Sequence, residues 1–253
     1  MTFPLTDIII GFFVLGRTAG FLMMIPYFSG KIIPLPVRFA LAITFAILIY
    51  PKINETTPIP SHVLGLFLIF AKEFLFGTLM GFGARIAFWV AEFAGSVIST
   101  EIGLSMSSNF DPIAQTRSTV ISTALFYMTA ILFFITGVHY QTLHNFVMSY
   151  YHFPVLGGFP AFRGVEGLVK ATSLIFLVGA QAAAPAIALN FVINVTFAIM
   201  GKAVPKMNVF MVSFSVRILA GLTLLFLTVG LITQYLYKII DFTPRIIIDV
   251  ITF

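Results

Sequence analysis

The sequence predicts an all-α membrane protein, a bundle of long, bent and short hydrophobic helices that form hairpins. Hydrophobic residues make up 59% of the 253 positions and charged residues 9%, whereas charged residues are about 25% of a typical soluble domain. The mean hydropathy is +1.06. Apolar residues are gathered in long segments separated by connections that contain Pro or Gly, and no stretch is left over for a soluble domain.

These apolar segments differ in length, and their lengths predict different roles. The 12 residues of Phe39–Tyr50 form about 18 Å of helix, which is too short for a hydrocarbon core of about 30 Å. In contrast, Val63–Ile98 and Leu168–Met200 exceed one span, which predicts bent or hairpin helices inside a larger protein body. The predicted segments are Ile8–Ile25, Phe39–Tyr50, Val63–Ile98, Val120–Thr136, Tyr140–Tyr151, Leu168–Met200 and Val209–Tyr237.

The charged residues inside these segments include Arg17, Arg85, Glu92 and Arg217. Each would cost about 2.5–3.5 kcal/mol at a bilayer centre, so each is expected to face protein, water or another chain. Two interpretations stay open, namely pairing or snorkelling within the chain, and contact with another subunit or a polar lumen. The dipeptide Lys72-Glu73 is interpreted as a helix-surface or interhelical pair.

Small residues recur at four-residue spacing and predict close helix packing. The motifs are Gly16-x-x-x-Gly20, Gly77-x-x-x-Gly81 and a run of Gly and Ala before Pro185. The spacing leaves open whether these faces pack within the chain or against another chain.

Several functions are disfavoured by what the sequence lacks. The absence of cysteine excludes disulfides, thiolate zinc sites and iron–sulfur clusters, and the dispersed histidines do not predict a metal site. The basic residues occur singly, which disfavours nucleic-acid binding. We find no catalytic or cofactor-binding motif, so we expect a protein that is not an enzyme.

A set of motifs along the whole chain resembles the flagellar branch of the FliR/SctT family of type III export-gate proteins. The residues that carry the resemblance are Arg17, Pro26, Pro36-Val-Arg38, Pro51, Lys72-Glu-Phe-Leu-Phe-Gly77, Gly81-Phe82, Gly95, Gly103–Pro112, Gly137-Val-His139, Ser149, Pro154, Ala184-Pro185 and Val204–Phe210. Four positions depart from the family pattern, so no family role is carried over to their side chains: Ser99, Glu101, Lys202 and Lys206.

The resemblance implies a place in a larger assembly. One copy would join several FliP and FliQ subunits, with FlhB and FlhA alongside, and unfolded flagellar proteins would pass through the centre. Residues of about 1–165 would behave like FliP and residues of about 166–253 like a FliQ hairpin with a C-terminal tail. The assembly would lie in the bacterial inner membrane, in contact with lipid, with part of it above the bilayer plane on the periplasmic side.

The same resemblance implies that a polar loop closes the resting channel. This plug loop extends over Gly103–Arg117. Its composition fits a seal that can move, because glycine permits tight turns, hydroxyl and amide groups tolerate a wet lumen, and Met and Phe make adaptable apolar contacts. The expected gate residues are Gly103, Leu104, Ser105, Met106, Ser107, Ser108, Asn109, Phe110, Asp111 and Pro112. The alternative is an ordinary connector in which Asp111-Pro112 begins the next helix.

Two other functions are alternatives to a flagellar export gate. The injectisome counterpart within the same family is not distinguished by composition. A small-molecule transporter or ion channel would use Pro185 to break a helix near the membrane midplane, with Arg85, Glu92 and Arg217 along a polar path. Such transporters often contain two matching halves, and we find no clear internal repeat.

Overall fold

The computed structural model describes residues 5–26, 33–53, 59–60, 62–105, 119–157, 164–204 and 208–252. Within these ranges the chain forms seven α-helices, one short 3-10 helix and no strand, which confirms the predicted all-α fold. The 3-10 helix covers Tyr50–Lys52. The α-helices are α1 (Leu5–Met24), α2 (Leu35–Ile49), α3 (Val63–Glu101), α4 (Val120–Ile135), α5 (Val138–His152), α6 (Gly164–Ala203) and α7 (Val209–Thr252).

Four helices of the described chain are long and apolar enough to cross a membrane. They are α1, α3, the part of α6 over Val169–Ala203 and the part of α7 over Met211–Ile248. Helices α4 and α5 would count together as one further, broken span. Helix α2 has 15 residues and is not among the candidate spans, as its predicted length required.

The long segments are continuous helices in this structure. Helix α3 has 39 residues and α6 has 40, so neither is a hairpin by itself. Helix α6 passes through Pro185 without ending, although proline removes one backbone hydrogen-bond donor. Helix α7 continues to Thr252 instead of stopping at Tyr237, because Lys238 and the charges after it lower the hydropathy without breaking the helix.

The described chain divides into two compact units, and each has its own core. Unit 1 consists of Met1–Ile86, Thr136–Thr172 and Asp241–Phe253, and unit 2 of Ala87–Ile135 and Ser173–Ile240. The core of unit 1 includes the buried side chains of Phe13, Phe21, Met80, Phe146 and Ile247. Unit 2 buries Phe88, Val90, Ile98, Ile232 and Leu236. The predicted division near residue 165 concerns likeness to two partner proteins and stays a prediction.

The two glycine motifs of unit 1 face each other and bring α1 and α3 into close contact. A Cβ atom on Gly77 would lie 1.9 Å from the carbonyl oxygen of Arg17, and one on Gly20 would lie 2.3 Å from the carbonyl oxygen of Phe74. Distances this short leave no room for a side chain, so only glycine permits this approach of the two backbones. These motifs therefore pack within the chain.

Candidate functional site

Arg17 lies in the interior of unit 1, where its guanidinium group joins three segments of the chain. Its Nε lies 2.5 Å from Oε2 of Glu73 on α3, and the exposed fractions of the two side chains are 1% and 0%. Its Nη1 donates to Oγ of Ser149 at 3.2 Å, and Nη2 donates to the carbonyl oxygen of Phe153 at 2.9 Å. These contacts agree with the interpretation that Arg17 pairs within the chain, which was one of the two left open by the sequence.

Lys72 extends this network to the turn that follows α5. Its Nζ donates to the carbonyl oxygens of Val155 at 2.8 Å and Gly157 at 2.7 Å. The same Nζ lies 3.2 Å from Oε1 of Glu73, an ion-pair distance without hydrogen-bond geometry. The Lys72-Glu73 dipeptide thus makes interhelical contacts, one of the two interpretations of the sequence, since Glu73 pairs with Arg17 on α1 and Lys72 binds the turn after α5. Lys72 also places a second positive charge beside the buried carboxylate.

Two aromatic rings enclose the Arg17 guanidinium. Its Cζ lies 4.2 Å from the ring centroid of Tyr150 and 4.7 Å from that of Phe76. Rings at these distances stabilise the cation where water is excluded, in addition to the carboxylate of Glu73. Within the described residues the Arg17–Glu73 pair is therefore enclosed on all sides.

The beginning of the predicted plug loop lies at the end of α3, in unit 2. Gly103 has φ +83°, a left-handed conformation that glycine adopts without strain and that ends helices. The N–H of Gly103 donates to the carbonyl oxygen of Thr100 at 3.1 Å, and the N–H of Ser105 donates to that of Ser99 at 3.2 Å. The tight turn expected at Gly103 is therefore present, and Leu104 and Ser105 follow it. The remaining gate residues, Met106–Pro112, lie outside the described residues.

Two hydroxyl groups tie the flanks of that loop together. Ser99 is fully buried, and its Oγ donates to Oγ1 of Thr119 at 2.7 Å. Thr119 is also the N-cap of α4, because its Oγ1 accepts the backbone N–H of Ser122 at 3.2 Å. A Cβ atom on Gly95 would lie 2.3 Å from Cα of Ser122, so the two helices are in backbone contact beside this bond. We call the Ser99–Thr119 pair the loop stem.

Arg217 lies close to the same turn within a group of polar residues on α3, α6 and α7. Its Nη2 donates to Oδ1 of Asn194 at 2.7 Å, and its Cδ is 3.7 Å from the Cβ position of Gly103. Asn190, one turn before Asn194, donates to the carboxylate of Glu101. Nε of Arg217 and Oδ1 of Asn190 are buried without a hydrogen-bond partner in the described part of the chain. We call Glu101, Asn190, Asn194 and Arg217 the polar cluster.

The other two predicted charges, Arg85 and Glu92, lie along α3 and are half-buried. Each has at least one interaction within the chain, so neither is an isolated charge. Arg85 belongs to unit 1 and Glu92 to unit 2.

Some members of these groups were not singled out by the sequence reasoning. Asn190 and Asn194 stand four residues apart in an apolar helix, and that spacing could have indicated a polar face on α6. Thr119 stands directly before an apolar run, which is a recognisable N-cap position. Ser149 was named only among the residues that carry the resemblance, and nothing in the sequence linked it to Arg17, which is 132 residues away in the chain.

Comparison with known proteins gives a match over nearly the whole chain. The sequence profile of the family described as "Bacterial export proteins, family 1" matches residues 8–243. That range includes the buried ion pair, the loop stem and the polar cluster.

Individual relatives agree with this family match. The chain is 28% identical to "Flagellar biosynthetic protein FliR" of Caulobacter vibrioides, over 86% of this chain and 87% of the relative. It is 26% identical to the Escherichia coli protein of the same name, over 95% of this chain and 92% of the relative. It is also 26% identical to "Yop proteins translocation protein T" of Yersinia pestis, over 77% of this chain and 80% of the relative. The chain therefore belongs to family 1 of the bacterial export proteins, the FliR/SctT family of type III export components whose motifs its sequence carries.

Proposed function

We propose that this chain is a core subunit of the flagellar type III protein export gate. With FliP and FliQ it forms the channel through which unfolded flagellar proteins cross the inner membrane. The observation that carries the proposal is the match of one export-protein family over residues 8–243, which includes five of the seven described helices completely and most of α1 and α7. The relatives named as flagellar proteins support the flagellar system, and the four candidate spans support a membrane location.

In this proposal the chain has two parts that resemble its partners. Residues of about 1–165 correspond to a FliP subunit, and residues of about 166–253 to a FliQ hairpin. Two long helices, α6 and α7, make up nearly all of the second part, and the Arg217–Asn194 hydrogen bond joins them. Two adjacent apolar helices with a short connection are the expected form of a membrane hairpin.

The loop after α3 is the proposed plug of the resting channel. Its turn at Gly103 and the loop stem support this role, since they hold the flanks of the segment at 106–118 together. FlhB and FlhA are the further proposed partners, and the chain acts as a conduit without catalysis.

The proposal is tested by the native mass of the tagged chain after co-expression with FliP and FliQ and extraction in mild detergent. One copy of the chain within a complex of several FliP and FliQ subunits is the expected result. A monomer or homodimer without other subunits would overturn the proposal and favour a transporter, although α6 does not break at Pro185 as that function would require.

The injectisome counterpart is the second candidate, and the Yersinia relative is the observation in its favour. Expression in two deletion strains separates the candidates. A flagellar subunit restores swimming to a strain that lacks its own flagellar homologue, whereas an injectisome subunit restores secretion through the injectisome instead.

A further inference from the structure

A groove on unit 1 has the chemistry of an anion site beside apolar walls. It has a volume of about 480 Å³ and lies between α5 and the end of α7. A hydrogen bond from Nδ2 of Asn145 to the carbonyl oxygen of Pro244, at 3.1 Å, joins the two helices that line it. The lining residues are Tyr140, Gln141, His144, Asn145, Pro244, Arg245 and Ile248.

The polar groups of this groove favour an anion. Arg245 supplies a permanent positive charge, while Gln141 and His144 are exposed residues that carry N–H donors. The lining contains no carboxylate. Asp241 lies one turn before Arg245 on α7, but in the described chain no ion pair joins the two, and the Arg245 guanidinium lies 5.3 Å from the ring centroid of Phe242.

The position of the groove along the chain favours a lipid over a soluble anion. Arg245 follows the apolar run of α7 that ends at Tyr237, near the end of the candidate span Met211–Ile248. Basic side chains that follow an apolar run of a membrane helix commonly contact lipid headgroups. Ile248, Pro244 and the exposed ring of Tyr140 give the groove an apolar surface that suits an acyl chain. A site with donors at one side and apolar walls at the other matches a phospholipid, whose phosphate and hydrocarbon are adjacent.

We propose that this groove binds an anionic phospholipid, with its phosphate on Arg245 and its acyl chain along Ile248 and Tyr140. Gln141 and His144 donate hydrogen bonds to the phosphate oxygens. Because no lining carboxylate can accept an ammonium group, the groove prefers phosphatidylglycerol to phosphatidylethanolamine. This site is independent of the proposed export function.

The test is native mass spectrometry of the full chain, with any subunits that co-purify, in detergent containing equimolar phosphatidylglycerol and phosphatidylethanolamine of identical acyl chains. We expect phosphatidylglycerol to be bound in preference by about fivefold, the effect of one well-placed basic residue. Arg245→Gln should abolish the preference and Arg245→Lys should retain most of it. Gln141→Leu, which removes a donor to the phosphate without changing charge, should weaken the binding of both lipids.

Lys238→Gln is the matched control, because it removes the same charge from the same helix at an exposed position outside the groove lining. It should leave the preference unchanged. An equal loss in Lys238→Gln and Arg245→Gln would overturn the proposal in favour of net charge alone. Displacement of the lipid by inorganic phosphate, but not by sodium chloride of equal ionic strength, would overturn it in favour of a soluble phosphate site.

Discussion

Arg17 Nε lies 2.5 Å from Oε2 of Glu73, and these two residues, 56 positions apart in the chain, are both almost completely buried. In an apolar interior each charge depends on the other. Removal of one partner leaves an uncompensated charge at a cost of about 3–5 kcal/mol, whereas replacement of both by apolar residues is often neutral or stabilising. The pair therefore makes α1 and α3 mutually dependent.

We predict that Arg17→Leu and Glu73→Gln will each lower the melting temperature of the purified chain in detergent. The double variant Arg17→Leu with Glu73→Leu should recover part of the loss, because neither member of the buried pair is then left without its partner, and Lys72 keeps its two carbonyl acceptors. Co-purification with partner subunits should follow the same order. If Arg17→Leu instead reduces co-purification at an unchanged melting temperature, Arg17 acts at a subunit interface.

The exposed pair Glu166–Lys170 is the control for this experiment. Its ion-pair distance is 2.9 Å, and its side chains are 73% and 71% exposed. An exposed pair contributes little because water screens it, so Glu166→Gln should leave the melting temperature unchanged.

Gly77→Ala should destabilise the contact between α1 and α3. The new Cβ would meet the carbonyl oxygen of Arg17 at 1.9 Å, and backbone cannot move aside as a flexible side chain can. We expect a large fall in melting temperature despite the better helix propensity of alanine. Gly230→Ala on α7 is the control, since nothing lies within 4 Å of its Cβ position, and it should be neutral or slightly stabilising. An equal response from both variants would contradict the close packing.

The helices could be predicted from the sequence because long apolar runs with Pro or Gly between them leave few alternatives in a membrane. The end of α7 could not, since hydropathy falls at Lys238 while the helical backbone continues. Arg17 and Arg217 were recognisable as charges in apolar segments. Glu73 was recognisable as a member of a charged pair, but not as the partner of Arg17. The contacts with Ser149 and Asn194 could not be predicted, because these are ordinary polar residues whose proximity to an arginine depends on tertiary packing.

Ser99→Ala should loosen the loop stem. The variant removes the hydrogen bond to Thr119, and a typical hydrogen bond contributes about 1 kcal/mol, which corresponds to about a fivefold change in an opening equilibrium. Amide hydrogen exchange in the first turn of α4 and at residues 103–105 should therefore accelerate by about that factor. Ser96→Ala is the matched control, since Oγ of Ser96 donates to the carbonyl oxygen of Phe93 in its own helix. If exchange at these positions is the same in both variants, the Ser99–Thr119 hydrogen bond does not hold the flanks of the loop together.

Deletion of Gly103–Asn109 should make the assembled gate leak ions or small solutes while leaving the complex intact. The reason is that the proposed plug would be lost, whereas the buried pair and the polar side chains of α6 and α7 would remain. Conductance of the complex in planar bilayers measures the effect, and a Gly/Ser replacement of equal length separates side-chain sealing from loop length. Background conductance with intact assembly would mean that the segment is only a connector.

Arg217→Leu should reduce co-purification with partner subunits more than it lowers the stability of the isolated chain. Nε of Arg217 is buried without a hydrogen-bond partner in the described part of the chain, and an unsatisfied donor on an apolar helix favours a partner from outside. Lys238→Leu removes an exposed charge from the same helix and should leave the yield unchanged. Asn194→Leu removes the acceptor of Arg217 Nη2 within the chain. This variant should lower the melting temperature of the isolated chain more than it lowers co-purification with partner subunits. If Arg217→Leu lowers the melting temperature as Asn194→Leu does, at full yield of the complex, the polar cluster is an internal structural group.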